Sequence, residues 1–115
     1  MAVGVDIEDI KRFENKNEDF YDRLFTKNEQ EYCRKSKNSA SHFAGRFCAK
    51  EATYKALCAL GINQPDFKKI EVLNRENGVP ELILHGVEGL ATQLSLSHER
   101  EKAIAFVIVE REIQC

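Results

Sequence analysis

The segment that starts at Ser39 or Ser41 and reaches about Leu60 constrains this chain more than any other. Phe43, Ala44, Phe47, Ala52, Ala56 and Leu57 give it apolar surface at helical spacing, and Gly61 supplies a stop, so the pattern predicts one long helix. The small residues Ala44, Gly45, Cys48 and Ala49 would let a second element approach it closely. A helix with such a face needs a partner layer to cover it.

The second half of the sequence supplies strands for that layer. Residues 67–73 and 80–85 read as strands on either side of Asn77-Gly78, a strong hairpin signal. Residues 94–97 alternate apolar and hydroxyl side chains, and residues 103–110 form a strand apolar on both faces. At the start, residues 2–7 are a short apolar run consistent with a buried strand. Residues 8–21 carry Ile10, Phe13 and Phe20 near helical periods and predict a helix with an uncertain end. Thr26-Lys27-Asn28-Glu29 has the capping-box pattern and opens a short exposed helix, and residues 87–93 predict another. The fold class expected is α+β, an antiparallel sheet packed against the long helix. With 115 residues, no repeat and no linker, residues 1–115 are expected to form a single domain.

Composition mainly excludes. A net charge of −2 argues against nucleic acid as a main partner, since duplex binding relies on a basic surplus. No apolar run approaches the roughly 20 residues of a membrane span, and the acid at position 6 with no basic lead-in does not fit a signal peptide. Cys33, Cys48, Cys58 and Cys115 lack zinc spacing and read as free thiols of a reducing, cytoplasmic protein.

Two segments carry most of the chemistry. In Gly4-Val5-Asp6-Ile7-Glu8-Asp9, an acid follows a glycine near the end of a buried strand, which would place a carboxylate at a cleft mouth. The plainer reading is that Asp6 caps the following helix, with Glu8 and Asp9 at its positive end. On the long helix, Phe47, Glu51 and Lys55 lie one turn apart on one side, and Arg46, Lys50 and Thr53 line the adjoining side. Glu51 and Lys55 could be an ordinary i,i+4 ion pair, worth about 0.2–0.5 kcal/mol. But Glu51 lies among small and apolar residues, and a buried carboxylate needs a paired charge or a metal. Carboxylates with Arg46, Lys50 and Lys55 nearby suit a magnesium–polyphosphate site. A third stretch, Leu94-Ser95-Leu96-Ser97-His98-Glu99, has no glycine-flanked nucleophile elbow, so a hydrolase triad is discounted, and a lone histidine at a strand end is usually structural.

Taken together, three segments resemble the holo-acyl-carrier-protein synthase group of 4′-phosphopantetheinyl transferases. They are Gly4-Val5-Asp6-Ile7 with Arg12-Phe13, Phe43-Ala44-Gly45-Arg46-Phe47-Cys48-Ala49-Lys50-Glu51-Ala52 with Lys55-Ala56, and Leu96-Ser97-His98 ahead of Ala103-Ile104-Ala105. The resemblance implies the 4′-phosphopantetheinyl transferase fold and transfer of phosphopantetheine from coenzyme A to a serine of an apo acyl carrier protein, with release of 3′,5′-ADP. It implies Asp6 and Glu51 as Mg2+ ligands, Lys55 on the leaving phosphate, and a water held by the metal or by Glu51 as base. Arg46, His98 and Lys37 would take the 3′-phosphate end, with Lys50 also on the coenzyme. Arg12 and Arg23 would meet the carrier protein, and active sites would lie between subunits of a homotrimer.

Two departures from the family pattern stand out. Leu57-Cys58-Ala59-Leu60-Gly61 replaces a Gly-Thr-Gly turn, and Glu14, Glu18, Asp19 and Asp22 dilute the basic docking segment. The other readings are a coenzyme A or nucleotide-binding protein without transferase activity, and an interaction module assembling through the small-residue helix.

Overall fold

A computed structural model describes residues 1–63 and 66–112. In chain order the elements are β1 (Ala2–Asp9), α1 (Glu18–Leu24), α2 (Lys27–Arg34), α3 (Ser39–Ala59), β2 (Ile70–Asn74), β3 (Pro80–Leu84), β4 (Leu90–His98) and β5 (Lys102–Arg111). The strands form two antiparallel sheets, one in the order β1-β5-β4 and one pairing β2 with β3. Among the described residues, no helix is long and apolar enough to cross a membrane.

The long helix ends as its sequence indicates. Gly61 adopts φ +76°, Ile62 N–H donates to Leu57 O at 2.9 Å and Gly61 N–H to Cys58 O at 3.0 Å, a Schellman closure of the last turn. Its buried side, with Ala44, Cys48, Ala49, Ala52 and Ala56, packs on β1 and on the inner residues Ala103, Ala105, Val107 and Val109 of β5. Contact is closest at Gly4, where a Cβ would lie 1.8 Å from the carbonyl oxygen of Ala52. Ala44, Gly45, Cys48 and Ala49 thus serve packing within the chain rather than a surface for assembly. Beyond Phe47, Phe13, Phe25, Tyr21 and Phe43 continue the core as an aromatic cluster, with ring centroids 4.6–6.3 Å apart.

Four sequence expectations change. Residues 8–21 are not one helix: β1 continues to Asp9, which pairs with Lys102 of β5, and a 3-10 turn spans Ile10–Phe13. Asn15 then takes φ +51°, and the helix begins only after Asn17, whose side chain accepts from Phe20 N–H. Residues 87–93 are not helical either, because Gly86 and Gly89 both adopt positive φ and β4 starts at Leu90. In the 67–73 strand, Phe67–Lys69 form a 3-10 turn and pairing starts at Ile70. The Asn77-Gly78 hairpin is present, with Gly78 at φ +85°. The capping box of α2 is also present, but the helix is not simply exposed, since Glu29, Gln30 and Cys33 are buried.

Candidate active site

Strand alternation sets the site. Val3, Val5 and Ile7 point outward, so Ala2, Gly4, Asp6 and Glu8 face α3. Asp6 pairs opposite Ala105 in mid-strand, which removes the helix-cap reading. Its side chain is 12% exposed. The Lys55 ammonium reaches across from α3 to Asp6 Oδ1 at 3.3 Å and to Val5 O at 3.1 Å, so it serves β1 rather than Glu51 one turn away. Asp6 Oδ2 is buried without a hydrogen-bond partner among the described residues. The thiol of Cys48 nearby donates to Ala103 O at 3.3 Å, and burial first, then the charges of Asp6 and Glu8, push it up to about 12.

Glu51 is half-buried on the same side of α3. Its carboxyl is raised above the ordinary range, by burial first and by the charge of Asp6 next, with Lys55 working in the opposite direction. The pair therefore destabilises itself electrostatically, and a cation between the two carboxylates would relieve it. A partnerless buried carboxylate oxygen and a hard-oxygen donor set fit a magnesium ion. Among the described residues, no group of three or more His, Cys, Asp or Glu could hold a metal ion. Two carboxylates completed by substrate oxygens and water are the usual provision for magnesium.

Lys50 is reassigned. Its ammonium is fully buried and meets Glu29 Oε1 at 2.8 Å, Phe67 O at 2.7 Å and Ile70 O at 2.7 Å, which occupies all three donors of an ammonium. It ties α3 to α2 and β2 and has no donor left for a phosphate. Arg46 is also enclosed, at 3% exposure, with its guanidinium 4.2 Å above the Tyr32 ring and a hydrogen bond to Asn74, yet its Nε has no partner among the described residues. His98, exposed at the end of β4, stands 6.5 Å from the His42 ring. Lys37 is exposed in a polar basin at the start of α3, together with Lys16, Arg34 and Arg100. Arg12 and Arg23 line one hollow with Phe20 and Leu24. Arg12 is bound there to Glu8 at 3.1 Å and lies 4.9 Å from the Phe47 ring centroid.

Glu8 is a charged neighbour of the site that the sequence reading assigned to a helix start. Reading β1 through to Asp9 would have put Glu8 two residues from Asp6 on the same face. Cys33, Cys48 and Cys58 are free as expected, and Cys115 lies outside the described residues.

Comparison with known proteins places this arrangement. The family model of the 4′-phosphopantetheinyl transferase superfamily matches residues 2–107. Holo-[acyl-carrier-protein] synthases of Geobacter sulfurreducens and Geobacter metallireducens are 45% and 42% identical, each over 96% of this chain and 98% of the relative. A crystal structure of the Bacillus anthracis holo-(acyl-carrier-protein) synthase in complex with CoA (3′,5′-ADP) superposes with a TM-score of 0.83 at 34% identity, covering 96% of each chain. The Helicobacter pylori synthase in complex with coenzyme A superposes with a TM-score of 0.76 at 29% identity, over 94% of this chain and 99% of that one. The chain belongs to the 4′-phosphopantetheinyl transferase superfamily and, within it, to the holo-[acyl-carrier-protein] synthases, and is therefore a transferase. The expected α+β transferase fold is thereby established.

Proposed function

We propose that this enzyme moves the 4′-phosphopantetheine arm of coenzyme A onto a serine hydroxyl of an apo acyl carrier protein, with Mg2+, and releases 3′,5′-ADP. The observation that carries the reading is the partnerless buried oxygen of Asp6, whose other oxygen meets Lys55 and whose charge acts on the Glu51 carboxyl. Asp6 and Glu51 would hold the ion, which when bound supplies positive charge against the pyrophosphate oxygens.

The chain's own groups then divide the work. The Lys55 side chain is 54% exposed and held over β1 by Val5 O, so its ammonium is placed to meet charge developing on the leaving phosphate. Glu51, with its raised carboxyl, is suited to hold the water that takes the serine proton. Arg46, His98 and Lys37 would hold the 3′-phosphate end, while Arg12 and Arg23, with the apolar floor of their hollow, would meet the carrier protein. Lys50 has no part in coenzyme binding.

Assembly belongs to the same reading. Val3, Val5 and Ile7 of β1 are exposed beside Ile104 and Phe106 of β5, with Val5 opposite Phe106 and Ile7 opposite Ile104. An exposed apolar sheet face of this kind favours covering by other subunits. A homotrimer with active sites between subunits, working in the cytoplasm as one domain, fits it.

The test is mass spectrometry of apo carrier protein incubated with the enzyme, coenzyme A and Mg2+. The carrier should gain one phosphopantetheine, and Asp6→Asn should lower turnover by about 100-fold or more. Tight coenzyme binding with no mass gain on any carrier would favour a non-transferring binding protein instead.

A further inference from the structure

Four planar side chains from three elements meet at one place outside the carboxylate pair. His42 lies one helical turn before Arg46 on α3. Its ring packs edge-on to Tyr32 of α2, with centroids 5.6 Å apart at 87°, and faces His98 of β4 at 6.5 Å and 63°. Arg46 covers Tyr32 from 4.2 Å. Tyr32 thus braces both the guanidinium and the imidazole.

Some of the donors gathered here have no partner, although another Arg46 nitrogen donates to Asn74. Arg46 is 97% enclosed with a partnerless Nε, and among the described residues no hydrogen bond fixes a ring nitrogen of His42 or His98. The charges are also of one sign. Burial, then Arg46 and His98, hold the His42 imidazole below its ordinary value, so its surroundings disfavour the charged ring. A dianion would reverse that balance and use the vacant donors together.

We propose that His42 is a binding residue of the coenzyme site, closing with Arg46 and His98 around a phosphate monoester and setting the preference for coenzyme A over its 3′-dephospho form. This rests on the transferase reading above. The phosphate draws a proton onto the His42 imidazole as it binds, so affinity for the monoester falls as pH rises through the histidine range, whereas affinity for the dephospho form does not. The groups acting on His42 are Arg46 on its own helix, His98 from β4 and Tyr32 from α2.

Isothermal titration of the full chain with coenzyme A and with 3′-dephospho-coenzyme A tests this. His42→Phe keeps a ring against Tyr32, and His42→Gln keeps a polar group. The Phe variant should lose about tenfold or more in coenzyme A affinity and stay within about twofold for the dephospho form. Gln should fall between Phe and wild type. Between about pH 6.5 and 8.5, the fall in wild-type coenzyme A affinity should flatten in the Phe variant, and titrations in two buffers should show less proton uptake. An unchanged coenzyme A affinity in the Phe variant, or an equal loss for both ligands, overturns the proposal and leaves His42 a packing residue. Failure of the transferase reading looks different, since the wild type would then leave apo carrier protein unmodified whatever the two ligands do.

Discussion

Replacing Lys50 by Met separates a structural lysine from a ligand. The substitution keeps the side chain's length and removes its ammonium from a fully buried position. Glu29 would retain backbone donors from Thr26 at 2.8 Å and Val72 at 2.9 Å, but its negative charge would lose its counter-ion. Phe67 O and Ile70 O would also lose their short contacts with the ammonium. Removing one partner of a buried ion pair costs about 3–5 kcal/mol. Each stranded carbonyl adds about 1–3 kcal/mol when it stays dry, and these terms overlap because β2 can shift. We therefore expect a loss of about 4 kcal/mol, or roughly 15 °C in Tm for a domain of this size. Urea unfolding at fixed protein concentration measures it, concentration being held because assembly adds stability. Pairing the change with Glu29→Gln should restore about 1–2 kcal/mol, because the orphaned charge goes while Val72 N–H keeps an acceptor. Below the transition, coenzyme A affinity should stay within about twofold of wild type. A Lys50→Met protein of wild-type stability that no longer binds coenzyme A would refute this reasoning and restore Lys50 as a ligand.

Other outcomes follow from the same contacts. Because the folded protein raises the Glu51 carboxyl, it holds more protons than the unfolded chain between the two values, so wild-type stability declines as pH rises through that window. Without metal, Glu51→Gln should gain stability over wild type at neutral pH, with the advantage vanishing below about pH 4, and Mg2+ should raise the Tm of wild type but not of the variant. A neutral-pH variant less stable than wild type would contradict the electrostatic account. Gly4→Ala should cost about 3 kcal/mol or more, since its Cβ would fall 1.8 Å from Ala52 O, and thermal unfolding would record it. Carrier-protein association should depend only weakly on salt, because Arg12 is neutralised by Glu8 and Arg23 has Asp19 and Asp22 beside it. Stopped-flow on-rates that collapse between low and physiological salt would count against it.

What the sequence disclosed and what it concealed have physical reasons. The long helix, its glycine stop, the Asn77-Gly78 hairpin and the Thr26 capping box are local devices, so their signals sit within a few residues. The 8–21 segment misled because Ile10 and Phe13 are buried by tertiary packing at near-helical spacing, while pairing of Asp9 with Lys102 keeps the strand going. Asp6 was legible as a carboxylate following a glycine on a buried strand, but its orientation depended on the strand phase of β1. Lys50 looked like its neighbours Arg46 and Lys55 because its counter-ion comes from another helix. Glu29 announced itself only as the third residue of a capping box, whereas its carboxylate serves Thr26, Val72 and Lys50 together.

The bare backbone at Gly4 has a consequence for how this enzyme can drift. Strand and helix meet there main chain to main chain, so the spacing between the element that carries Asp6 and the one that carries Glu51 is set by atoms common to every amino acid. Phe43 and Phe47, earlier on α3, can be exchanged and repacked without moving that point of contact. Homologous chains can thus diverge widely through the core while the gap between the two carboxylate-bearing elements stays fixed, provided position 4 remains glycine.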